Sequence, residues 1–211
     1  MSTRVFTSWL MIICPIAMMI VFVILEPVIM GEIDESLAVQ DRALATLKTF
    51  NDNEISGYFV NILGMVFMLG TISGLALLGK SLDGSGAALG TVSSLIFTAV
   101  LAIPVVSLGL SLSAGEIFAE GYTDTAVSVE LIAESTFMGF PLFLAMGYIL
   151  LGLGLLLEKG PLPIALAGLL LLTGVVMLPG ALLSPGLGFL VFAISMLLVV
   201  ASGVLLLRRS D

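Results

Sequence analysis

The sequence predicts an all-α fold: a polytopic integral membrane bundle of about six transmembrane helices, with an external amphipathic helix between spans 1 and 2. Three observations predict it. Hydrophobic residues make up 59% of the 211 residues, and the mean hydropathy is +1.24. Charged residues are only 10%, against about 25% in a soluble domain, so the solvent that suits this chain is lipid. The apolar residues form continuous runs, whereas membrane β-barrel strands alternate in short segments.

A spanning helix needs about 17–25 mainly apolar residues. Six stretches qualify, at about 8–29, 56–78, 87–112, 135–157, 161–178 and 187–207, and together they define a single transmembrane helical domain over residues 1–211. The first follows Arg4 and has an apolar core from Trp9 to Leu25. That is longer than a signal-peptide core, and no A-x-A-like site follows, so it reads as an uncleaved first span. Residues 31–55 read as the amphipathic helix: Leu37, Leu44, Leu47 and Phe50 fall near one face, and Asp34, Asp41, Arg42 and Lys48 fall elsewhere.

The turn Lys80-Ser81-Leu82-Asp83-Gly84 is short and makes spans 2 and 3 an antiparallel hairpin. Residues 113–130 form a longer external connection through the turn Gly121-Tyr122-Thr123-Asp124, with Ser128 as N-cap of a helix that runs on into span 4. Glu158-Lys159-Gly160 turns the chain into span 5, where Pro161 and Pro163 suit the first helical turn. Pro179, Gly180, Pro185 and Gly186 separate spans 5 and 6. Pro15, Pro104 and Pro141 lie inside spans 1, 3 and 4, where each removes a backbone hydrogen bond and kinks its helix.

Lys and Arg set the orientation. With six spans, Arg4, Lys80, Lys159, Arg208 and Arg209 share one side, and only Arg42 and Lys48 lie on the other. This split predicts a multi-pass protein of the cell inner (cytoplasmic) membrane with both termini cytoplasmic. The external side then holds two acidic segments. Residues 31–55 carry six acids against two bases, and residues 113–134 carry five acids against none.

The chain has no histidine, which removes the usual proton shuttle and the commonest metal ligand. The one cysteine, Cys14, excludes an internal disulfide and reads as a buried small hydrophobe. The net charge of −8 has no basic patch within it, so nucleic acid is not an expected partner. No nucleophile elbow, zinc-protease motif or phosphate loop is present. No catalytic, cofactor-binding or metal-ligating residue is assigned, no cofactor is expected, and the chain reads as no enzyme.

Polar residues within lipid are costly and so are candidates for contact with a ligand or partner. Asn61 lies one turn inside span 2; the alternative is a bond to a neighbouring helix, worth about 0.6–2 kcal/mol. Glu26 precedes Pro27 at the outer end of span 1, either as a headgroup-level carboxylate or as a proton or cation site. Glu116 with Glu120 and Glu130 with Glu134 are spaced i, i+4, which places each pair on one helix face. Such pairs could hold a hard cation. The plainer reading is helix-end charge, which the helix dipole favours for Glu130 and Glu134 at a helix start. Gly70 with Gly74 and Gly86 with Gly90 are small-xxx-small patterns that let helices approach closely within the bundle.

In the second half, Gly147-Tyr148-Ile149-Leu150-Leu151-Gly152 meets the turn Gly160-Pro161-Leu162-Pro163, and Leu166-Ala167-Gly168-Leu169-Leu170 follows. Over residues 140–207 this layout resembles a family of uncharacterised six-helix bacterial membrane proteins that carry a domain of unknown function. The resemblance implies neither an activity nor site residues. The expected function is that of a non-enzymatic accessory or assembly subunit, with the lipid bilayer and other membrane protein subunits as partners. The alternative is a small transporter, channel, or lipid- or solute-binding membrane protein. A membrane enzyme would have to rely on Glu, Asp or Tyr.

Overall fold

The computed structural model describes residues 2–31, 33–34, 36–158, 162–183 and 185–209, with backbone alone for Glu54, 180–183 and 185–189. The fold is all-α, 88% helical, with no strand among the described residues. In chain order the elements are α1 (Thr3–Ile20), a π-helical turn (Val21–Leu25), α2 (Glu26–Met30), α3 (Val39–Asp52), α4 (Glu54–Lys80), α5 (Ala87–Val100), α6 (Ala102–Ala119), α7 (Thr123–Phe137), α8 (Phe140–Glu158), α9 (Ile164–Leu183) and α10 (Pro185–Arg208).

Five helical stretches are long and apolar enough to cross a membrane: Thr3–Met30, Ile55–Lys80, Ala87–Ala119, Thr123–Glu158 and Leu190–Arg208. The apolar helix Ile164–Pro179, where a further span is expected, is shorter. The amphipathic segment expected over 31–55 contains α3, whose Ala43 and Leu47 are buried while Asp41 and Lys48 are exposed.

Proline shapes three of the long stretches. α5 and α6 break at Leu101, three residues before Pro104, and α7 and α8 break at Met138-Gly139, just before Pro141. Proline offers no N–H to the carbonyl four residues earlier, and its ring crowds that carbonyl. Pro15 stays inside an unbroken α1. In the π turn before Pro27, the Glu26 N–H reaches back to the Val21 carbonyl.

The connection expected over 113–130 is helical almost throughout. α6 runs on to Ala119 and α7 begins at Thr123, which leaves a three-residue turn, Glu120-Gly121-Tyr122. Gly121 makes that turn with φ +91°. Its N–H donates to the Phe118 carbonyl at 3.0 Å, and the Tyr122 N–H donates to Ile117 at 3.2 Å, so the helix-end carbonyls are satisfied. Ser128 is accordingly no N-cap. It lies inside α7, and its hydroxyl donates to the Asp124 carbonyl.

The chain divides into two compact units. The first comprises Met1–Ala17, Phe67–Leu101 and Phe140–Asp211. Within it, helices meet at glycine. Gly70 and Gly74 of α4 face Leu10, Met11 and Cys14 of α1. A Cβ at Gly79 would lie 2.8 Å from the Gly90 carbonyl oxygen, one at Gly174 would lie 2.7 Å from that of Ala145, and one at Gly86 would collide with the Gly154 carbonyl. The four glycines read as close-approach positions do fill that role inside this unit. Large apolar side chains such as Leu95, Leu169, Leu172 and Leu197 are exposed on it, as expected for surfaces that face lipid.

The second unit comprises Met18–Val66 and Ala102–Gly139. α6 and α7 pair as an antiparallel hairpin, and α3 packs on both. Leu47, Ala114 and Ala126 form its buried centre, with Ile117, Phe118, Val127 and Val129 around them.

Candidate functional site

The polar chemistry of the second unit gathers on the hairpin of α6 and α7. α7 buries Ala126, Glu130 and Ala133 on one face. The spacings of four and three residues keep them in line along the helix. α6 answers with Ser107, Ser111 and Gly115, each one turn from the last. The Ser107 hydroxyl donates to the Ala133 carbonyl at 2.9 Å, and the Ser111 hydroxyl faces the Glu130 carboxyl. The Tyr58 hydroxyl of α4 abuts Gly115, where a Cβ would lie 2.6 Å from it.

Glu130 is the one strongly buried carboxylate among the described residues, at 6% exposure. One turn further on, the Glu134 carboxylate accepts a bond at 3.2 Å from the Arg42 guanidinium of α3. Of the pair read as helix-end charge, Glu130 lies about two turns inside α7 and Glu134 lies in its last turn. One member is buried, and the other is paired to a residue 92 positions away. No sequence signal linked Arg42 to Glu134. Ser111 could have been found from its helical spacing with Ser107 and Gly115.

The other candidates do not join this cluster. Glu116 and Glu120 are exposed at the end of α6, on the turn where the Glu120 N–H donates to the Glu116 carbonyl. Asn61 is half-buried, and its amide donates at 3.2 Å to the Gly57 carbonyl of its own helix; the neighbouring-helix bond considered from sequence is not the one made. Glu26 is half-buried where the π turn passes into α2. No group of three or more His, Cys, Asp or Glu side chains arranged to hold a metal ion is present among the described residues.

In the first unit, seven buried hydroxyls close on backbone carbonyls. Those of Thr7, Ser8, Thr71, Thr173, Ser195 and Ser202 bond within their own helices, and Ser93 crosses from α5 to the Gly147 carbonyl of α8 at 2.9 Å. Tyr148, fully buried, lies edge-on to Phe97 with ring centroids 5.8 Å apart. Its hydroxyl faces Ser195 without a hydrogen bond of normal geometry. At the end of α8, the Glu158 carboxylate accepts from the backbone N–H groups of Asp83, Gly84 and Gly86, at 3.2, 2.8 and 3.0 Å, and ties α8 to the turn between α4 and α5. Converging backbone N–H groups of this kind form an anion-binding concavity, filled here by the protein's own side chain. Cys14 is half-buried against Gly70.

No family model, curated protein or solved structure matches this chain.

Proposed function

We propose that the protein is a non-enzymatic, multi-pass subunit of the cell inner membrane that packs against other membrane proteins as an accessory or assembly component. The observation that carries this reading is the use made of buried hydroxyls in the first unit. Seven are closed on carbonyls, and the helices around them meet at glycine. An interior of this kind serves packing rather than passage of a solute.

The reading includes six spans with both termini cytoplasmic. In support, α9 runs 20 residues, about 30 Å at 1.5 Å per residue, which matches a bilayer core of about 30 Å. Arg4, Lys80, Arg208 and Arg209 belong to the first unit, whereas Arg42 and Lys48 belong to the second. The second unit also carries the exposed acids Asp41, Asp52, Glu116, Glu120 and Asp124, a surface suited to a basic partner.

Native mass spectrometry after mild solubilisation of the native membrane tests the proposal. A foreign membrane protein in fixed stoichiometry is the expected result. A lone homo-oligomer that carries bound solute or lipid contradicts it and favours the alternative, a small transporter, channel, or lipid- or solute-binding protein. One observation favours that alternative: the carboxylate of Glu130 on a buried helix face.

A further inference from the structure

A carboxylate buried in a helical membrane protein has to be balanced by a partner. Glu130 shares the buried face of α7 with Ala126 and Ala133, and the Ser111 hydroxyl of α6 faces it. Its closest like charge is Glu134, one turn away, which pushes on it electrostatically. The cation serving this face is Arg42 of α3, and its bond goes to Glu134. The remaining charges of the packed helices, Asp41, Lys48 and Asp52 of α3 and Glu116 of α6, are exposed side chains. Tyr58 adds a hydroxyl against Gly115, one turn along α6 from Ser111.

The charge count is informative. Two carboxylates and one guanidinium leave one negative charge without a partner, and the group left over is the more buried of the two. A single proton brings the cluster to neutrality. The ion-pair end of the cluster is the wetter one, with side-chain exposures of 33% for Arg42 and 30% for Glu134, so that is the end where water meets it.

We propose that Glu130 is a proton-binding site, built from its own carboxyl, the Ser111 hydroxyl and the Glu134–Arg42 pair. On binding, an O–H bond forms on a Glu130 carboxyl oxygen as a hydronium ion at the Glu134 end gives up its proton and leaves as water. The cluster then goes from one net negative charge to none. On release the proton returns to water by the same end. Arg42 is bonded to Glu134, so the proton resides on Glu130, the carboxyl that has no cation beside it.

Infrared spectroscopy of the full chain, reconstituted in vesicles of neutral lipid, tests this. At neutral pH the wild type should show the C=O stretch of a protonated carboxyl, which shifts on exchange into heavy water and is lost as pH is raised. Glu130→Gln should remove the band, and Glu26→Gln should leave it. Replacing potassium by sodium should change nothing. A band that survives Glu130→Gln, or that Glu26→Gln removes, overturns the proposal. So does a band present only when sodium is withdrawn, which would assign a cation site instead. Should Glu130→Gln not assemble, the wild type and Glu26→Gln decide between them. A neutral-pH band in both supports the site, and its absence from the wild type overturns it.

Discussion

The Arg42 guanidinium on α3 donates to the Glu134 carboxylate on α7 at 3.2 Å, joining an amphipathic helix to a hairpin helix 92 residues later in the chain. Both side chains are about a third exposed, at 33% and 30%, and pairs in such surroundings contribute about 0.2–1 kcal/mol. A double-mutant cycle with Arg42→Gln and Glu134→Gln, read by unfolding in mixed detergent, should give a coupling in that range that shrinks with added salt. Coupling of zero at low salt would mean that the bond does not hold α3 in place.

Glycines in the first unit are expected to divide sharply. A Cβ at Gly86 would collide with the Gly154 carbonyl, whereas one at Gly168 would meet nothing within 4 Å. Gly86→Ala should cost about 1–3 kcal/mol, the range for overpacking. Gly168→Ala should be neutral or slightly stabilising, since alanine is the better helix former. Equal melting temperatures for the two variants would contradict the close approach.

Asp34 precedes α3. Its carboxylate accepts from the Ser36 hydroxyl at 2.6 Å and from the Ser36 N–H at 2.9 Å. These bonds, the hydroxyl's first, hold the carboxyl below its ordinary range. A depressed folded-state value means that the turn's contribution is present above the ordinary carboxylate range and is lost as pH falls through the folded value. An NMR titration of the Asp34 carboxyl should find it low, and Ser36→Ala should raise it. A titration in the ordinary range, or one that Ser36→Ala leaves unchanged, would contradict the turn.

Exposed acids dominate the second unit. Asp34, Asp41, Asp52, Glu116, Glu120 and Asp124 are exposed there, against Lys48 as that unit's exposed base among the described side chains. Their mutual repulsion acts over a screening length of about 10 Å at 0.1 M salt, so the melting temperature in detergent should rise with sodium chloride. Calcium should add little beyond its ionic strength. A rise at micromolar calcium, abolished by Glu116→Gln, would reveal a specific cation site, and no response to salt would remove the acidic surface as a source of repulsion.

Much of this architecture was legible in the sequence, because spans of continuous apolar residues and the periodicity of α3 are local signals. Proline placed the breaks in two spans, although each break falls a few residues upstream, at Leu101 and at Met138-Gly139, where the ring acts on the preceding turn. The hydropathy pattern makes the hairpin of α6 and α7 too short. Its Glu, Ser and Thr residues lower the hydropathy, while the small side chains that build its seam, Ala114, Ala126 and Ala133, carry little hydrophobic signal. A helix start near Ser128 places Glu130 at a helix end. The start at Thr123 puts it about two turns inside, on the buried face. The Arg42–Glu134 bond was not legible, since nothing local connects residues so far apart.

Cysteine accessibility tests the central claim most directly: a six-span bundle whose acidic connections lie outside and whose basic turns lie in the cytoplasm. In a Cys14→Ser background, a membrane-impermeant maleimide applied to intact cells should label Ser36→Cys and Thr123→Cys, whose native side chains are exposed in the second unit. Ser81→Cys, exposed in the turn between α4 and α5, should react only after the membrane is permeabilised. Labelling of Ser81→Cys in intact cells, or protection of Thr123→Cys, would contradict the account.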